Sequence, residues 1–334
     1  MVSADRPSGV TLLLQTLEGP IRHAVLDWAL ESGVFDLCRT PAPPDLLGQG
    51  MGLPVGSLTL ALRALSAAGF MECLDGGFRT APDILPFVAA DGPRNMVETL
   101  RMMARTRHGG LDAFGAMVAG AALPPGSQLF DAAHWDAHHR SLVSFHRAIA
   151  AEAMAPCMTG LPEWGRTRTL LEIGPGSAVL AERLLAQRPD LRVTLFDLPQ
   201  VAERIRQDAP DPAITILSGD YNRILPEGHF DLIWCSMTLY FHDAGLPTLI
   251  ARLADLLVPG GVLVSFHEAL NGDRTRPPEH VLGRLMPALR QGDVSFGDGE
   301  IAAAMAAAGL TGATAETLAT PFGRFRLDAA RRKA

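Results

Sequence analysis

The amino-acid sequence predicts a doubly wound α/β fold in its second part and a mainly helical module before it. From about residue 167, apolar runs of strand length alternate with amphipathic helices, the order that produces a parallel sheet covered on both faces. The runs at 169–173, 232–235 and 262–266 are almost continuously apolar, which is typical of strands buried on both sides. Before about residue 90 the pattern is two helices and a hairpin, so we expect two kinds of domain.

Composition limits the class of protein. The chain has 334 residues, of which 48% are hydrophobic, enough for a buried core and about two domains. Its net charge of −7 disfavours nucleic-acid binding, which needs cations for the phosphates. The four cysteines form no close pair, so we expect neither a zinc site nor disulfides, and scattered thiols are typical of the cytoplasm. We also expect no signal peptide and no membrane span.

The first domain is predicted over residues 10–95. One helix is expected over 20–37, with Pro20 at its first position and Gly33 at its end, and a second over 55–68, followed by a hairpin with an Asp-Gly-Gly turn. This is the order of a winged helix, but the second helix carries a single cation, Arg63. Because DNA-reading helices need several polar and cationic groups, we expect this domain to pack against a second subunit instead. A helical connector is predicted over 96–164, and the α/β domain over 165–334.

A glycine turn follows the first strand of the predicted α/β domain. Gly174 and Gly176 allow the backbone to approach a ligand closely. Dinucleotide-binding turns have a third glycine three residues later, where this chain has Val179, so a bound pyrophosphate is disfavoured. Glu172, directly before the turn, would repel a pyrophosphate and favour a cationic ligand.

Two further acidic residues follow the next two strands. Asp197 lies 21 residues after Gly176, where a carboxylate can accept hydrogen bonds from both hydroxyls of a ribose. Asp220, between Gly219 and Tyr221, is placed to meet an adenine amino group. The simpler alternatives are that Asp197 caps a helix and that Asp220 stabilises a turn.

Together these motifs resemble those of class I S-adenosylmethionine (SAM)-dependent methyltransferases, which have a Rossmann-like sheet. Over nearly the whole chain, EIGPGSA at 172–178, RPDLRVTLFDLPQV at 188–201 and LVPGGVLVSFHEAL at 257–270 are similar to the small-molecule O-methyltransferase family of plants and bacteria. The resemblance implies transfer of a methyl group from SAM to a small-molecule acceptor, with S-adenosylhomocysteine (SAH) as product. It also implies a homodimer formed through the N-terminal winged-helix domain.

The resemblance assigns roles by position in this sequence. The residues expected at SAM are Glu172, Gly174, Gly176, Asp197, Leu198, Gly219, Asp220, Tyr221, Cys235 and Ser236. The residues expected at the acceptor are His146, Arg147, Met237, His280 and Met286.

The catalytic segment departs from the family pattern. The family has a histidine base in a segment resembling LHDWDDE, whereas residues 239–245 of this chain are LYFHDAG. Tyr240 therefore occupies the base position and His242 the tryptophan position. Because a tyrosine hydroxyl has a pKa near 10, Tyr240 is a poor base at neutral pH.

Three outcomes are compatible with this departure. In the first, His242 is the base, with Asp243 or Glu268 orienting it, and the acceptor atom is oxygen, which the family resemblance favours. In the second, no base is needed because the acceptor is a thioether or thiol acid such as methylthio-hydroxybutyrate, or an activated carbon, which Tyr240 orients. In the third, His242 and Asp243 hold a metal; this needs a second histidine near 291–296, where the sequence has none, so we expect no metal. A protein that binds SAM without transferring methyl is a further alternative.

Overall fold

The computed structural model describes residues 8–121, 132–208 and 210–334. It divides into two compact units, one ending at Val97 and the other beginning at Glu98. The residues predicted as a connector from about 98 onward therefore belong to the same unit as the sheet. No helix in the described ranges is long and apolar enough to cross a membrane.

The first unit contains five helices and a hairpin among its described residues. Its helices are α1 (Gly9–Ser32), α2 (Val34–Leu37), α3 (Pro44–Met51), α4 (Val55–Ala67) and α5 (Leu85–Val88). Its strands are β1 (Met71–Leu74) and β2 (Gly77–Thr80), antiparallel and joined through Asp75 and Gly76. The core forms where α4 presents Leu58, Leu62 and Leu65, each at most 2% exposed, to α1 and α2.

Two details of this unit differ from the prediction. α1 begins at Gly9, so Pro20 lies inside the helix and not at its first position. The start is fixed by Ser8, whose hydroxyl accepts a hydrogen bond from the Thr11 N–H at 3.2 Å, the usual N-cap arrangement. α3 was not predicted, because eight residues that include Pro44 and two glycines show little helical periodicity.

The second unit alternates helices with strands. Its helices are α6 (Val97–His108), α7 (Phe114–Val118), α8 (Ala132–Phe145), α9 (Ala151–Thr159), α10 (Val179–Gln187), α11 (Pro199–Gln207), α12 (Leu246–Asp255), α13 (Pro278–Gln291) and α14 (Glu300–Ala307). A π-helical turn, His146–Ala150, joins α8 to α9. Its strands are β3 (Thr169–Ile173), β4 (Arg192–Asp197), β5 (Ile214–Ser218), β6 (Phe230–Ser236), β7 (Leu257–His267), β8 (Ala269–Leu270), β9 (Phe296–Gly297), β10 (Thr311–Thr320) and β11 (Gly323–Arg331).

A seven-stranded sheet organises this unit, in the order β10-β11-β7-β6-β3-β4-β5. β3 to β7 are parallel, and β11 and β10 complete the sheet in the antiparallel sense. The consecutive residues Leu170 and Leu171 of β3 are both fully buried, which is possible only when both faces of the sheet are covered. The α/β fold class predicted from the apolar runs is confirmed.

The order of the strands determines where a ligand can bind. After β3 the chain builds β4 and β5 on one side, and then returns to place β6 and β7 on the other side of β3. In open α/β sheets the crevice at such a reversal, beyond the carboxyl ends of the strands, is the usual ligand site. The residues after β3, β4, β5 and β6 therefore converge on one place.

Candidate functional site

A cavity of about 170 Å³ lies at the carboxyl ends of the parallel strands. α8 and its π-turn close it on one side, and the segments that follow β3 to β6 close it on the other. The lining residues are Leu142, Phe145, His146, Gly174, Pro175, Gly176, Phe196, Asp197, Leu198, Gly219, Asp220, Tyr221, Ser236, Met237, Thr238 and Phe241. The structure thus brings together most residues predicted at SAM, and it adds an aromatic wall.

The turn after β3 has no room for a side chain at its first glycine. Gly174 has φ 63°, and a Cβ atom there would lie 2.0 Å from the Thr238 hydroxyl oxygen. A substitution would therefore displace the segment after β6, which forms the facing wall. Glycine here allows the Thr238 side chain to pack directly against the turn beside the cavity.

Asp197 is held by backbone groups at the end of β4. Its Oδ2 accepts the Gly176 N–H at 2.9 Å, and its Oδ1 accepts the Leu198 N–H at 2.7 Å. Burial raises the pKa of this carboxyl to about 6, although both hydrogen bonds favour the charged form. A carboxylate has about four lone-pair positions, so each oxygen can still accept one further hydrogen bond. The side chain is therefore oriented in advance for a ligand with paired hydroxyls.

Glu172 lies beneath the glycine turn and does not line the cavity. It is 2% exposed, and its Oε2 has no hydrogen-bond partner among the described residues. Burial raises the pKa of this carboxyl to about 8, and the nearby charge of Asp197 adds to the increase. Ionising both carboxyls at these adjacent strand ends is therefore unfavourable, and a cation bound nearby would reduce that cost.

The residues after β5 form the third side of the cavity. The Tyr221 hydroxyl donates to the Thr238 carbonyl at 2.8 Å, and burial raises the pKa of this phenol. Asp220 accepts the Asn222 N–H at 2.9 Å and also lines the cavity. The same side chain therefore stabilises a turn and faces the site. The two interpretations of Asp220 are compatible.

Neighbouring residues at the end of β6 lie in different environments, the cavity lining and the apolar core. Ser236 and Met237 line the cavity as predicted, and Met237 has φ 50°, an unusual conformation for a residue other than glycine. The prediction for Cys235 is wrong, because its side chain is fully buried within the apolar core and does not reach the cavity.

Tyr240 belongs to a buried polar cluster behind the cavity. Its hydroxyl donates to the Glu268 carboxylate, which also forms an ion pair with Arg284. The Arg284 guanidinium lies 4.4 Å from the centre of the Tyr240 ring. Burial and the charge of Glu268 hold the pKa of Tyr240 well above its ordinary value. Glu268 therefore binds Tyr240 and Arg284, and the expectation that it orients His242 is wrong.

His267 fixes the loop that carries Tyr240. Its Nε2 accepts the N–H groups of Thr238 and Leu239, both at 3.0 Å, and its Nδ1 lies 2.8 Å from the Ser265 hydroxyl. Burial, with the charge of Arg284, lowers the pKa of this imidazole to about 3. Both ring nitrogens are thus engaged, and the ring is a structural support.

His242 and Asp243 lie outside the cavity lining. Asp243 is exposed, and its N–H donates to the Asn222 side chain at 2.9 Å. No hydrogen bond within the described ranges joins His242 to Asp243 or Glu268. The predicted base and its orienting carboxylate are not assembled, because the 3₁₀ turn Leu239–Phe241 directs Phe241 to the cavity instead.

Three residues predicted at the acceptor lie elsewhere. His280 donates from Nε2 to the Arg324 carbonyl at 2.6 Å, with its ring edge against Phe325, so it fastens α13 to the sheet. Met286 is buried and does not line the cavity. Arg147 is exposed, because successive helical positions point in different directions and its neighbour His146 faces the cavity.

His146, expected at the acceptor, lines the cavity. Its Nδ1 is 2.6 Å from the Ser177 hydroxyl, in the turn after β3, and burial lowers the pKa of the ring to about 4. The residues that sequence patterns did not reveal are Arg284 and Phe241, whose positions depend on tertiary packing. Within the described ranges no group of three or more histidine, cysteine or acidic side chains could hold a metal ion.

The comparisons with known proteins identify relatives of this chain. Residues 170–261 match the family model of the methyltransferase domain. The chain is 30% identical over 112 residues to norreticuline-7-O-methyltransferase of Papaver somniferum, covering 33% of this chain and 30% of that enzyme. It is 25% identical over 276 residues to acetylserotonin O-methyltransferase of Rattus norvegicus, covering 76% of this chain and 62% of that enzyme. The matches span less than two thirds of either curated relative.

The fold has close counterparts among solved structures. Human N-acetylserotonin methyltransferase, determined in complex with SAM, superposes with a TM-score of 0.80 over 100% of both chains at 19% identity. This structural match confirms the fold class that the sequence predicted, and the two curated matches confirm the resemblance to small-molecule O-methyltransferases.

Glu172 should make stability depend on pH. Its pKa is about 8 in the folded protein and near 4.5 in the unfolded chain, so raising the pH from about 5 to 9 ionises the unfolded state first and destabilises the fold. Because each unit of pKa corresponds to about 1.36 kcal/mol, wild type should lose a few kcal/mol relative to Glu172→Gln over this range. Urea unfolding of both proteins at several pH values measures the difference.

The exposed Glu227→Gln provides the control, since it removes a carboxyl without removing a buried one. If the free energy of unfolding changed with pH equally in wild type and Glu172→Gln, the Glu172 carboxyl would not be the source of the pH dependence.

Proposed function

We propose that this chain, whose residues 170–261 match the methyltransferase domain, transfers a methyl group from SAM to a hydroxyl of a small, largely apolar acceptor. The observation that supports this most strongly is the convergence of the Gly174 turn and Asp197 on one cavity, above the buried carboxyl of Glu172. The similarity to O-methyltransferases adds to it.

The residues present fit SAM as a ligand. Its ammonium and sulfonium groups are cations, and the unpartnered Oε2 of Glu172 with the Asp197 carboxylate makes the region favourable for positive charge. The free lone pairs of Asp197 suit ribose hydroxyls, and Asp220 beside Tyr221 suits adenine. The turn at Gly174 and Gly176, which lines the cavity, suits the amino-acid part.

When bound, SAM supplies a methyl group activated by its sulfonium. The chain's own contribution is to orient the two reactants and to exclude water from the cavity. Correct placement of two reactants can lower a barrier by roughly 7–11 kcal/mol. Tyr240 contributes no base, since its hydroxyl donates to Glu268 and its pKa is raised.

The wall opposite the strand ends favours an aromatic or otherwise apolar acceptor. Leu142, Phe145, Met237 and Phe241 line the cavity from α8 and from the segment after β6. A small carboxylic acid would need a cationic partner, and Arg147, the arginine expected at the acceptor, is exposed away from the lining.

Methylation of sulfur or carbon is the second candidate, and one observation favours it: the segment in which the family has its base provides none here. A protein that only binds SAM is the remaining alternative. Release of SAH from SAM distinguishes these candidates. A panel of phenols should yield SAH, and matched aromatic thiols are compared in the same assay.

Turnover of hydroxyl acceptors is the result we expect. Turnover confined to thiols and thioethers would favour the second candidate. Binding of SAM with no SAH released from either panel would contradict the proposed methyl transfer.

Asp197 provides a direct test of SAM placement. Asp197→Asn should weaken SAM binding by at least about tenfold, because hydrogen bonds to a charged group contribute about 1.5–3 kcal/mol. Calorimetric titration with SAM measures this, and Asp211→Asn, at an exposed position, is the matched control. An unchanged affinity for Asp197→Asn would show that the ribose binds elsewhere.

We also propose that the first unit forms a homodimer contact through α1. Val10, Leu13, Leu17 and Ile21 lie along one face of this helix, and each is at least 63% exposed. An apolar stripe of this kind on a surface is typical of an interaction site. A second copy of the chain is the occupant that the family resemblance favours.

The cytoplasmic location stays a prediction from the scattered cysteines.

Sedimentation velocity tests the dimer. Wild type should sediment as a species of twice the chain mass. The double variant Leu13→Asp, Leu17→Asp should be monomeric, because dimer formation would bury two carboxylates without partners. Gln15→Asp, on the opposite side of α1, should remain dimeric. A wild-type monomer, or a double variant that stays dimeric, would contradict this surface.

A further inference from the structure

His146 is the imidazole that faces the cavity from the helical side. It lies at the start of the π-turn between α8 and α9 and is 6% exposed. Its Nδ1 is 2.6 Å from the hydroxyl oxygen of Ser177, so one ring nitrogen is fixed to the turn after β3. None of the described residues hydrogen-bonds its Nε2. π-turns inside α-helices often occur at functional sites.

The other candidate groups near the strand ends are already engaged or lie elsewhere. Both nitrogens of His267 have partners, and the Tyr240 hydroxyl donates to Glu268. His280 donates to a backbone carbonyl. Within the described part of the chain, His146 is the one histidine that lines the cavity.

We propose that His146 is the general base that removes the proton from a hydroxyl acceptor, with Ser177 as the residue that positions its ring. This inference rests on the proposed methyl transfer and names the base for it. It replaces the sequence-based expectation that His242 has this role.

The step balances without a further reactant. The acceptor oxygen keeps the electron pair of its O–H bond and leaves the proton on Nε2 of His146. The same oxygen forms a bond to the methyl carbon as the carbon–sulfur bond breaks and its electron pair stays on sulfur. The imidazolium then releases the proton to solvent, which restores the neutral ring.

The electrostatics of the cavity permit this role. Burial lowers the pKa of His146 to about 4, so the ring is neutral at physiological pH and its lone pair is available. Although such a ring is a weak base alone, charge leaves the sulfur as it arrives on the imidazole. The net charge of the enclosed site is therefore unchanged during the transfer.

The proposal requires one tautomer of His146. Nδ1 must carry the hydrogen and donate it to the Ser177 hydroxyl oxygen, which leaves the lone pair of Nε2 directed to the acceptor. The Ser177 oxygen also accepts the Val179 N–H at 3.4 Å, and its two lone pairs suffice for both bonds.

A matched pair of acceptors separates a base from a structural residue. 2-Naphthol must lose a proton to react well, whereas 2-naphthalenethiol is the stronger acid and is largely ionised in solution near pH 8. For His146→Asn, the ratio of naphthol to naphthalenethiol methylation should fall by at least about 100-fold, within the range for loss of a general base. Ser177→Ala should lower the same ratio by a smaller factor.

His280→Asn is the matched control, since it alters another buried histidine that does not line the cavity. Its ratio should equal that of wild type. Equal losses for both acceptors in His146→Asn would assign His146 a structural role and overturn the proposal. Wild-type protein that binds SAM yet methylates no hydroxyl acceptor would instead contradict the proposed function, and the base assignment with it.

A measurement independent of turnover tests the tautomer. The ¹⁵N shifts of the His146 ring in the SAH complex, assigned by comparison with His146→Asn, should show a protonated Nδ1 and an unprotonated Nε2. A protonated Nε2 would mean that the nitrogen facing the cavity is a donor, and this would overturn the proposal.

Discussion

The parallel pairing of β3 with β4 and β6 is the constraint on which the site depends. In this register Ile173 lies opposite Phe196 on one side and Cys235 on the other, so the three strands end at the same level. The register of the strands is therefore enough to bring the glycine turn, Asp197 and the segment after β6 together. The hydrogen bond from the Gly176 N–H to Asp197 is a direct consequence, and it joins two of the three segments.

Buried charge distinguishes this crevice from a general nucleotide site. Glu172 and Asp197 lie at neighbouring strand ends with raised pKa values, so ionising both in the absence of a cation is unfavourable. On the opposite side, His146 is neutral because burial lowers its pKa. A cationic ligand would lower the cost of ionising the two carboxyls and would leave His146 neutral. This agrees with a sulfonium donor and an uncharged imidazole that faces the acceptor.

Most residues that the sequence assigned to the cofactor line the cavity, whereas none of the four residues that it assigned to catalysis does. Gly174, Gly176, Asp197 and Asp220 follow strands whose apolar runs are visible in the sequence, so local patterns sufficed to place them. The partner of Glu268 is Arg284 on α13, beyond the loop that follows β8, and no helical or strand periodicity reveals that pair. Alignment alone placed His242 near the base position, but the short 3₁₀ turn presents Phe241 to the cavity. The match to the family pattern places this segment after β6, but the 3₁₀ turn decides which of its side chains face the cavity.

The most direct test of the account is a crystal structure of the protein with SAH. The central claim is that the crevice beyond β3, β4 and β5 binds the donor. We predict electron density for SAH with its ribose hydroxyls on the Asp197 carboxylate, its adenine beside Asp220 and its amino-acid part along the Gly174 turn. Density for SAH at any other place, or an Asp197 carboxylate bound only by its two backbone N–H groups in an SAH-saturated crystal, would contradict the claim.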